Sequence, residues 1–122
     1  MKPQSCKAKG RRFQQQLRDD IRVLLGLEDG DVESRGMGQN GVDIILSPAA
    51  LKVFPYLIEA KNVEALNVTK TFLDHAARYA SQKQRVPLLV HTKNKSTPLV
   101  TMTWAYFLRL VAESSRPKQN ND

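Results

Sequence analysis

The chain has 122 residues, of which 41% are hydrophobic and 25% charged, and a formal net charge of +7, which indicates one globular domain rather than a disordered or fibrous chain. Its one cysteine, Cys6, excludes an internal disulfide, and with only two histidines it cannot supply a structural zinc site of the usual kind. No apolar run approaches the roughly 20 residues that span a bilayer, and no signal-peptide core follows the first lysines, so we expect a cytoplasmic protein with no membrane partner.

The first predicted element is an amphipathic helix that follows a polar tail. We expect a single domain over residues 1–122, with flexible tails at residues 1–8 and 114–122. From Gly10 onward, apolar residues recur at helical spacing as far as Gly26, where the helix should end. The apolar positions are Phe13, Leu17, Ile21, Leu24 and Leu25.

Three short strands are predicted next. A turn-rich segment leaves room for a strand around residues 31–34. Residues 42–46 are β-branched and apolar on one side, and residues 53–61 favour a third strand after a loop that contains Pro48. Pro55 weakens only the start of that strand.

The second half of the chain is predicted to combine helices and strands. Residues 69–84 favour a helix that is capped by Asn67 or Thr69. Its expected inner face consists of Phe72, Leu73, Ala76, Ala77 and Ala80. Residues 87–91 and 99–102 favour strands, and residues 104–112 favour a last amphipathic helix. This order predicts an α/β sandwich around a mixed sheet.

An acidic residue interrupts the apolar segment GVDIIL. Because side chains alternate along a strand, Asp43 and Ile45 should share one face while Val42, Ile44 and Leu46 take the other. A carboxylate inside an apolar strand is costly unless it has a partner or a metal. Asp43 is therefore a candidate metal ligand.

The segment YLIEAKN places an acid and an amine two residues apart. Glu59 and Lys61 should project from one strand face, while Ile58 and Ala60 pack behind. If this strand pairs with the preceding one, Glu59 can share an ion with Asp43, and the carbonyl of Ala60 can serve as a further ligand. Magnesium prefers one or two carboxylates together with water and phosphate oxygens.

A plain reading of the same residues stays open. Glu59 and Lys61 could form an ordinary surface pair at a strand end, and Asp43 could belong to a turn after Gly41. The occurrence of both acids in apolar segments of a basic chain favours a nuclease that cuts phosphodiester bonds, because a cation and a nearby amine stabilise the charge that develops on phosphorus.

These motifs resemble those of the PD-(D/E)XK, or restriction-endonuclease-like, nuclease superfamily. Within it, the chain is similar to small phage endonucleases and archaeal-type Holliday-junction resolvases, from Lys9 to about Leu110. The resemblance implies an αβββαβ core with a mixed central sheet flanked by helices. It also implies Mg²⁺, with Mn²⁺ as a substitute. By position, Asp43 and Glu59 resemble the two metal acids, and Lys61 resembles the catalytic lysine.

The same resemblance suggests accessory residues. Ser34 and Arg35, in ESRGMGQNG, resemble the serine-containing strand and mobile loop that precede the first metal acid, although Ser34 could equally be a turn serine. KGRRFQ puts Gln14 where relatives often have a glutamate, so the negative charge of that position is missing. His75 or Gln82 could replace a glutamine found after the E-x-K strand, although a lone helix histidine more commonly faces solvent.

Basic residues are candidate contacts for a DNA backbone. The positive charge favours a nucleic-acid partner, although many basic proteins bind none. The segment LLVHTKNKS would place His91, Lys93 and Lys95 on one face by alternation, unless it is a solvated edge strand protected by lysines. The candidate DNA-binding residues are Lys9, Arg11, Arg12, Arg35, His91, Lys93 and Lys95. Such contacts position DNA without reading its sequence.

The function that we expect from the sequence is a Mg²⁺-dependent endodeoxyribonuclease of a bacterial or phage-infected cell. Structure-selective cutting of Holliday junctions or branched DNA in recombination is favoured over sequence-specific cutting, and a homodimer would present two sites to two strands. The alternatives are nonspecific nicking or DNA-end processing, a non-catalytic nucleic-acid-binding accessory protein with a nuclease-like fold, and a basic scaffold without a nucleic-acid role.

Overall fold

The computed structural model describes residues 3–36 and 40–115, and for residues 3–5 the backbone alone. The elements are helix α1 (Pro3–Leu25), a 3-10 turn (Asp29–Asp31), strands β1 (Val32–Ser34) and β2 (Ile44–Leu46), helix α2 (Pro48–Val53), strand β3 (Tyr56–Asn62), helix α3 (Val68–Arg78), strands β4 (Val86–Thr92) and β5 (Leu99–Thr101), and helix α4 (Trp104–Ser114). The expected mixed α/β class is confirmed. Within the described residues, no helix combines the length and apolar character needed to cross a membrane.

The strands form two small sheets. β1 pairs with β2 in antiparallel orientation, β3 pairs with β4 in parallel, and β5 lies antiparallel to β4. The sheet β3-β4-β5 is therefore mixed, as expected. The Asp43 amide donates to the carbonyl of Ile58 at 2.9 Å, so the chain that leads into β2 is joined to the free edge of β3.

Helix α1 covers one face of this framework. Phe13, Leu17 and Ile21 are buried and belong to the same core cluster as Ile44 and Ile58. Burial of each large apolar side chain stabilises the fold by roughly 1.5–3 kcal/mol. The predicted apolar spacing of α1 is confirmed for these three positions, and Gly26 follows the helix with a positive φ of 64°, which a glycine adopts without steric cost.

The opposite face of the mixed sheet carries α3. Asn67 caps this helix, and its side chain accepts a hydrogen bond from the Lys70 amide at 3.0 Å. The buried residues of α3 are Phe72 and His75, whereas Leu73 is 58% exposed. The predicted inner face is thus wrong at Leu73.

Two further residues of that predicted face, Ala77 and Ala80, are also exposed. Helix α3 ends at Arg78, six residues before the predicted end at residue 84. Alanine has little apolar surface to bury on either face of a helix, and single leucines are often exposed, so these residues did not fix where the covering sheet lies.

Two other element predictions are corrected. The segment that contains Pro48, expected to be a loop, is helix α2, which is capped by the hydroxyl of Ser47 and has Pro48 in its first turn, where a missing amide is tolerated. Helix α1 begins at Pro3, inside the predicted tail, because polar residues with good helix propensity extend a helix without adding an apolar signal. Residues 1–2 and 116–122 of the predicted tails lie outside the described residues.

Candidate active site

The residues of the G-x-D and E-x-K motifs line one cleft. It has a volume of about 240 Å³ and lies where α1, the chain before β2 and strand β3 meet. Asp43, Glu59, Ala60 and Lys61 line it, together with Gln14 from α1. The described residues that complete its wall are Cys6, Gly10, Gly36, Asn62 and Val63. Segments far apart in sequence therefore converge here.

Backbone hydrogen bonds fix Asp43 on both sides. Its amide donates to Ile58, and its carbonyl accepts from the Arg35 amide at 2.8 Å. Its carboxylate oxygen Oδ2 accepts a hydrogen bond from the Ala60 amide at 2.7 Å. Asp43 lies directly before β2 rather than within it, so the predicted strand began two residues too early.

The carboxyl group of Asp43 lies in an environment that disfavours its charge. Burial raises the pKa of Asp43 to about 6, from 3.8, and the neighbouring Glu59 carboxylate acts in the same direction. The Ala60 amide and the cationic Lys61 and Arg35 side chains oppose this rise only in part. A cation in the cleft would stabilise the charged form of Asp43.

Glu59 is held at the junction of two cavities. Its side chain is 14% exposed; Oε1 lies 3.6 Å from Lys61 Nζ, and Oε2 lies 3.8 Å from His75 Nδ1. Both distances exceed that of a good hydrogen bond. The second cavity, of about 440 Å³, is also lined by Glu59 and Lys61, with Asp74, His75 and Arg78 on its α3 side.

His75 is buried beside Glu59 instead of facing solvent. Its side chain is 1% exposed. Nε2 donates to the Leu57 carbonyl at 2.8 Å, which leaves Nδ1 as an acceptor in the neutral ring. Nδ1 has no hydrogen-bond partner among the described residues and faces a carboxylate oxygen. A proton on Nδ1, or a cation that contacts both atoms, would give this pair of polar atoms a favourable interaction.

The predicted accessory residues differ in whether they lie at the cleft. Gln14 is buried and lines the cleft. Ser34 lies opposite Ile44 in the β1–β2 ladder, while Gly36, two residues further on, reaches the cleft wall. Residues 37–39 of the expected mobile loop lie outside the described residues. Gln82 is exposed beyond the end of α3, so of the two candidates on this segment only His75 approaches Glu59.

Arg35 and Gly41 brace the chain next to Asp43. Arg35 Nε donates to the Val42 carbonyl at 2.7 Å. Gly41 has a φ of 119°, and a Cβ atom at this position would lie 2.7 Å from Arg35 Cζ. Only glycine adopts this φ without strain. The loop therefore depends on Gly41 in two ways. Glycine allows the backbone conformation, and its missing Cβ leaves space for the Arg35 guanidinium.

We expect Gly41→Ala to lower the free energy of unfolding by about 1–3 kcal/mol, from backbone strain and the lost Arg35 hydrogen bond. Urea unfolding followed by circular dichroism measures this change. Gly30→Ala is the matched control, because a Cβ atom there meets nothing within 4 Å. Equal stability of the two variants would contradict the bracing role of Gly41.

A basic cleft of about 490 Å³ adjoins the acidic one. Lys9 and Arg12 of α1 line it on one side, and Lys93 and Lys95 line it on the other. The prediction that alternation along a strand aligns these lysines is wrong, because β4 ends at Thr92. They follow it in a turn where Lys95 has a φ of 59°.

The other predicted DNA contacts lie around these clefts. Arg11 is exposed on α1, between cleft residues. His91 shares a hydrogen bond of 2.9 Å with Thr101, so its ring is held against β5. His91 and Lys93 line a separate neighbouring cavity. Arg35 is half-buried and engaged with the loop carbonyl described above.

Asn62 is a site residue that sequence reasoning missed. It ends β3, directly after Lys61, and lines both the acidic and the basic cleft. Its Oδ1 atom is buried without a hydrogen-bond partner among the described residues. The sequence signal for Asn62 was its polar side chain directly after the E-x-K motif, at a strand position where alternation places it on the face opposite to Glu59 and Lys61. An unpartnered buried acceptor at the junction of two clefts suits a ligand or an ordered water.

The described residues contain no group of three or more histidine, cysteine or acidic side chains arranged to hold a metal ion. Protein-family models, curated proteins and solved structures give no match to this chain. The side chains that line the cleft are therefore the evidence for its function.

Proposed function

We propose that this chain is a metal-dependent endonuclease that hydrolyses DNA phosphodiester bonds. The observation that carries the proposal is the convergence of Asp43, Glu59 and Lys61 on one cleft. The element order of α1, three strands, α3 and β4 is compatible with the αβββαβ restriction-endonuclease-like core, which we include in the proposal although α2 interrupts it between β2 and β3.

The residues of the acidic cleft fit a magnesium ion. Mg²⁺ is usually held by one or two carboxylates, with water and phosphate oxygens in the remaining positions. Asp43 and Glu59 are the two carboxylates. The Ala60 amide points at Asp43, and since the N–H and C=O of a strand residue point to the same side, its carbonyl faces the same cleft. Burial and the nearby Glu59 carboxylate raise the pKa of Asp43 to about 6, and a bound cation would offset both effects.

Each side chain of the cleft then has a definite role. A bound Mg²⁺ would neutralise charge on the phosphate and make water more acidic. Lys61, held near Glu59, would donate to a non-bridging phosphate oxygen or orient the attacking water, and so stabilise the charge that develops in the transition state. Gln14 would hydrogen-bond water in the cleft. His75 lies on the far side of Glu59, with Nδ1 3.8 Å from Oε2.

The basic cleft supports DNA as the substrate. Lys9, Arg12, Lys93 and Lys95 lie next to the acidic cleft, with Asn62 at the boundary. Side chains of this kind neutralise backbone phosphates and carry no base-specific information. We therefore propose structure-selective cutting of branched DNA or Holliday junctions, with a second copy of the chain supplying the second site. Nonspecific nicking is the nearest alternative.

A non-catalytic accessory protein is the alternative of another class. Gln14 favours it, because the position carries no charge. The acidic pair opposes it, since carboxylates beside a phosphate path repel DNA unless a cation bridges them.

A cleavage assay tests the proposal. Purified protein would be incubated with a four-way junction, plain duplex and single-stranded DNA of equal length, in Mg²⁺, Mn²⁺ or EDTA. We expect cutting in either metal, none in EDTA, and faster cutting of the junction than of the duplex. Tight binding without cut products in both metals would reject the nuclease in favour of the accessory protein.

A further inference from the structure

Helix α4 exposes a continuous apolar stripe. Trp104, Phe107, Leu108 and Val111 recur at helical spacing, and all four are exposed, Trp104 to 71%. The rings of Trp104 and Phe107 stack at 5.9 Å between centroids. Val100 of β5, exposed as well, lies just before this helix. We call these five residues the α4 patch.

The inner side of α4 is also apolar. Met102, which precedes α4, packs against the core cluster, and within α4 the hydroxyl of Tyr106 is hydrogen-bonded to that of Tyr56. Tyr106 and Leu110 are the half-buried residues of the helix, and every other residue of α4 is exposed. A helix that is apolar on two sides is normally covered on two sides. The monomer covers the side with Tyr106 and Leu110 in part and leaves the other side exposed.

The α4 patch lies in a long stretch of the sequence that has no charged residue. Between Lys95 and Arg109, residues 96–108 contain no charged side chain, although the chain carries a net charge of +7. Two copies of so basic a protein repel each other least when they meet through an uncharged surface. Residues 116–122 of this sequence, RPKQNND, offer only polar or charged side chains and one proline, so they cannot supply an apolar cover.

The neighbouring strand β5 lies at the edge of its sheet. Among the described residues, β5 pairs with β4 on one side, which leaves its other edge unpaired. An antiparallel pair of identical strands has two-fold symmetry, which is the symmetry of the commonest homodimers. An unpaired edge beside an apolar stripe is a surface that proteins usually keep covered.

We propose that the α4 patch is the interface of a two-fold homodimer, in which the stripe of one copy packs against that of the other beside the edges of β5. The five side chains expose on the order of 500 Å² per chain. Two copies would bury roughly 1,000 Å² before the strand edges and the polar rim are included, which reaches the lower range of specific interfaces.

The dimer has a consequence that rests on the proposed function. Pairing of the two β5 edges would join the sheets in the order β3-β4-β5-β5-β4-β3. The two β3 strands, which carry Glu59 and Lys61, would then be five strand spacings, or about 24 Å, apart. A two-fold axis perpendicular to the sheet puts both clefts on the same side, so one dimer could act on two strands of a branched DNA.

Sedimentation velocity and light scattering without DNA test the interface. We expect the wild-type chain to have twice its 13.8 kDa mass at micromolar concentrations, and dimerisation to strengthen with rising salt because repulsion between basic copies is screened. Trp104→Glu combined with Phe107→Glu should weaken dimerisation by at least about 100-fold, with an unchanged far-ultraviolet circular dichroism spectrum.

Val23→Glu combined with Leu24→Glu is the matched control, because these residues of α1 are exposed to 85% and 70% and the charge change is identical. This control should remain dimeric. A wild-type chain of 13.8 kDa at every protein and salt concentration would overturn the proposal, as would a monomer that cosediments with anionic vesicles through Trp104. Because no DNA is present, a dimer that cuts nothing would retain the interface and reject the nuclease alone.

Discussion

Replacement of Lys61 by alanine is expected to slow DNA cleavage by about 100-fold or more while DNA affinity stays nearly unchanged. The Lys61 ammonium lies 3.6 Å from Glu59 and lines the acidic cleft, where the proposed mechanism has it act on the reacting phosphate. In proteins that bind DNA, most of the binding energy comes from many contacts to the backbone phosphates, so the loss of one lysine should change affinity little. Single-turnover cleavage rates and equilibrium binding in Ca²⁺ or EDTA measure the two quantities separately.

A variant of the basic cleft serves as the opposite control. Lys93→Ala combined with Lys95→Ala should weaken DNA binding and flatten its salt dependence by about two units of slope, while cleavage of saturated substrate keeps most of its rate. If Lys61→Ala weakens binding and cleavage to the same degree, Lys61 is a phosphate contact and its catalytic assignment fails.

Replacement of Asp43 by asparagine is expected to abolish metal-dependent cleavage and to stabilise the metal-free protein. Burial and the Glu59 charge hold the pKa of Asp43 at about 6, so at pH 8 folding keeps an unfavourable carboxylate in the cleft. Asparagine removes the charge and can still accept the hydrogen bond from the Ala60 amide. After allowance for partial exposure, we expect a gain of about 1–2 kcal/mol, or about 4–10 °C in melting temperature.

The pH dependence of this effect has a definite sign. The pKa of Asp43 is raised in the folded state, so its protonated form is preferred there. Its contribution to stability is fully present below the unfolded pKa near 4 and is lost as the pH rises to about 6. The stability advantage of Asp43→Asn should therefore be small at pH 4 and complete above pH 7. Thermal melts in EDTA across this range measure it.

Added Mn²⁺ separates the metal role from the pKa effect. The metal should raise the melting temperature of the wild type and leave that of Asp43→Asn unchanged, because a ligand stabilises the state that binds it. Asp20→Asn is the matched control, since Asp20 is exposed on α1 and the substitution changes net charge equally. A destabilised Asp43→Asn variant that still responds to Mn²⁺ would contradict two assignments. The buried Asp43 carboxylate would not be unfavourable for folding, and Asp43 would not be a metal ligand.

Local patterns predicted the elements that are strongly periodic or capped. The spacing of Phe13, Leu17 and Ile21 predicted the buried face of α1, and Asn67, one of the two predicted caps, is the cap of α3. The two-residue spacing of Glu59 and Lys61 predicted their common face, which is confirmed by their ion pair. The local patterns gave wrong predictions in two places. Ser47 and Pro48 begin helix α2 instead of lying in a loop, and Lys93 and Lys95 lie in a turn instead of a strand.

The site depends on contacts that no local pattern contains. His75 has the sequence context of a solvent-facing helix histidine, yet the sheet covers it and its Nδ1 atom faces Glu59. Asn62 becomes a site residue because two clefts meet at the end of β3. The unusual pKa of Asp43 likewise arises from burial by other segments rather than from its neighbours in sequence.

The sequence alone established the helices and strands with strong periodicity, the basic net charge, and Asp43, Glu59 and Lys61 as candidate site residues. Periodicity and two-residue alternation are local properties of a chain, and net charge depends on composition alone. Only the tertiary structure decided that Asp43 meets Glu59 at the edge of β3, that a basic cleft adjoins them, and that α4 leaves one apolar side uncovered. Burial and long-range distances depend on which segments pack together, and that choice minimises the free energy of the whole chain rather than of any segment.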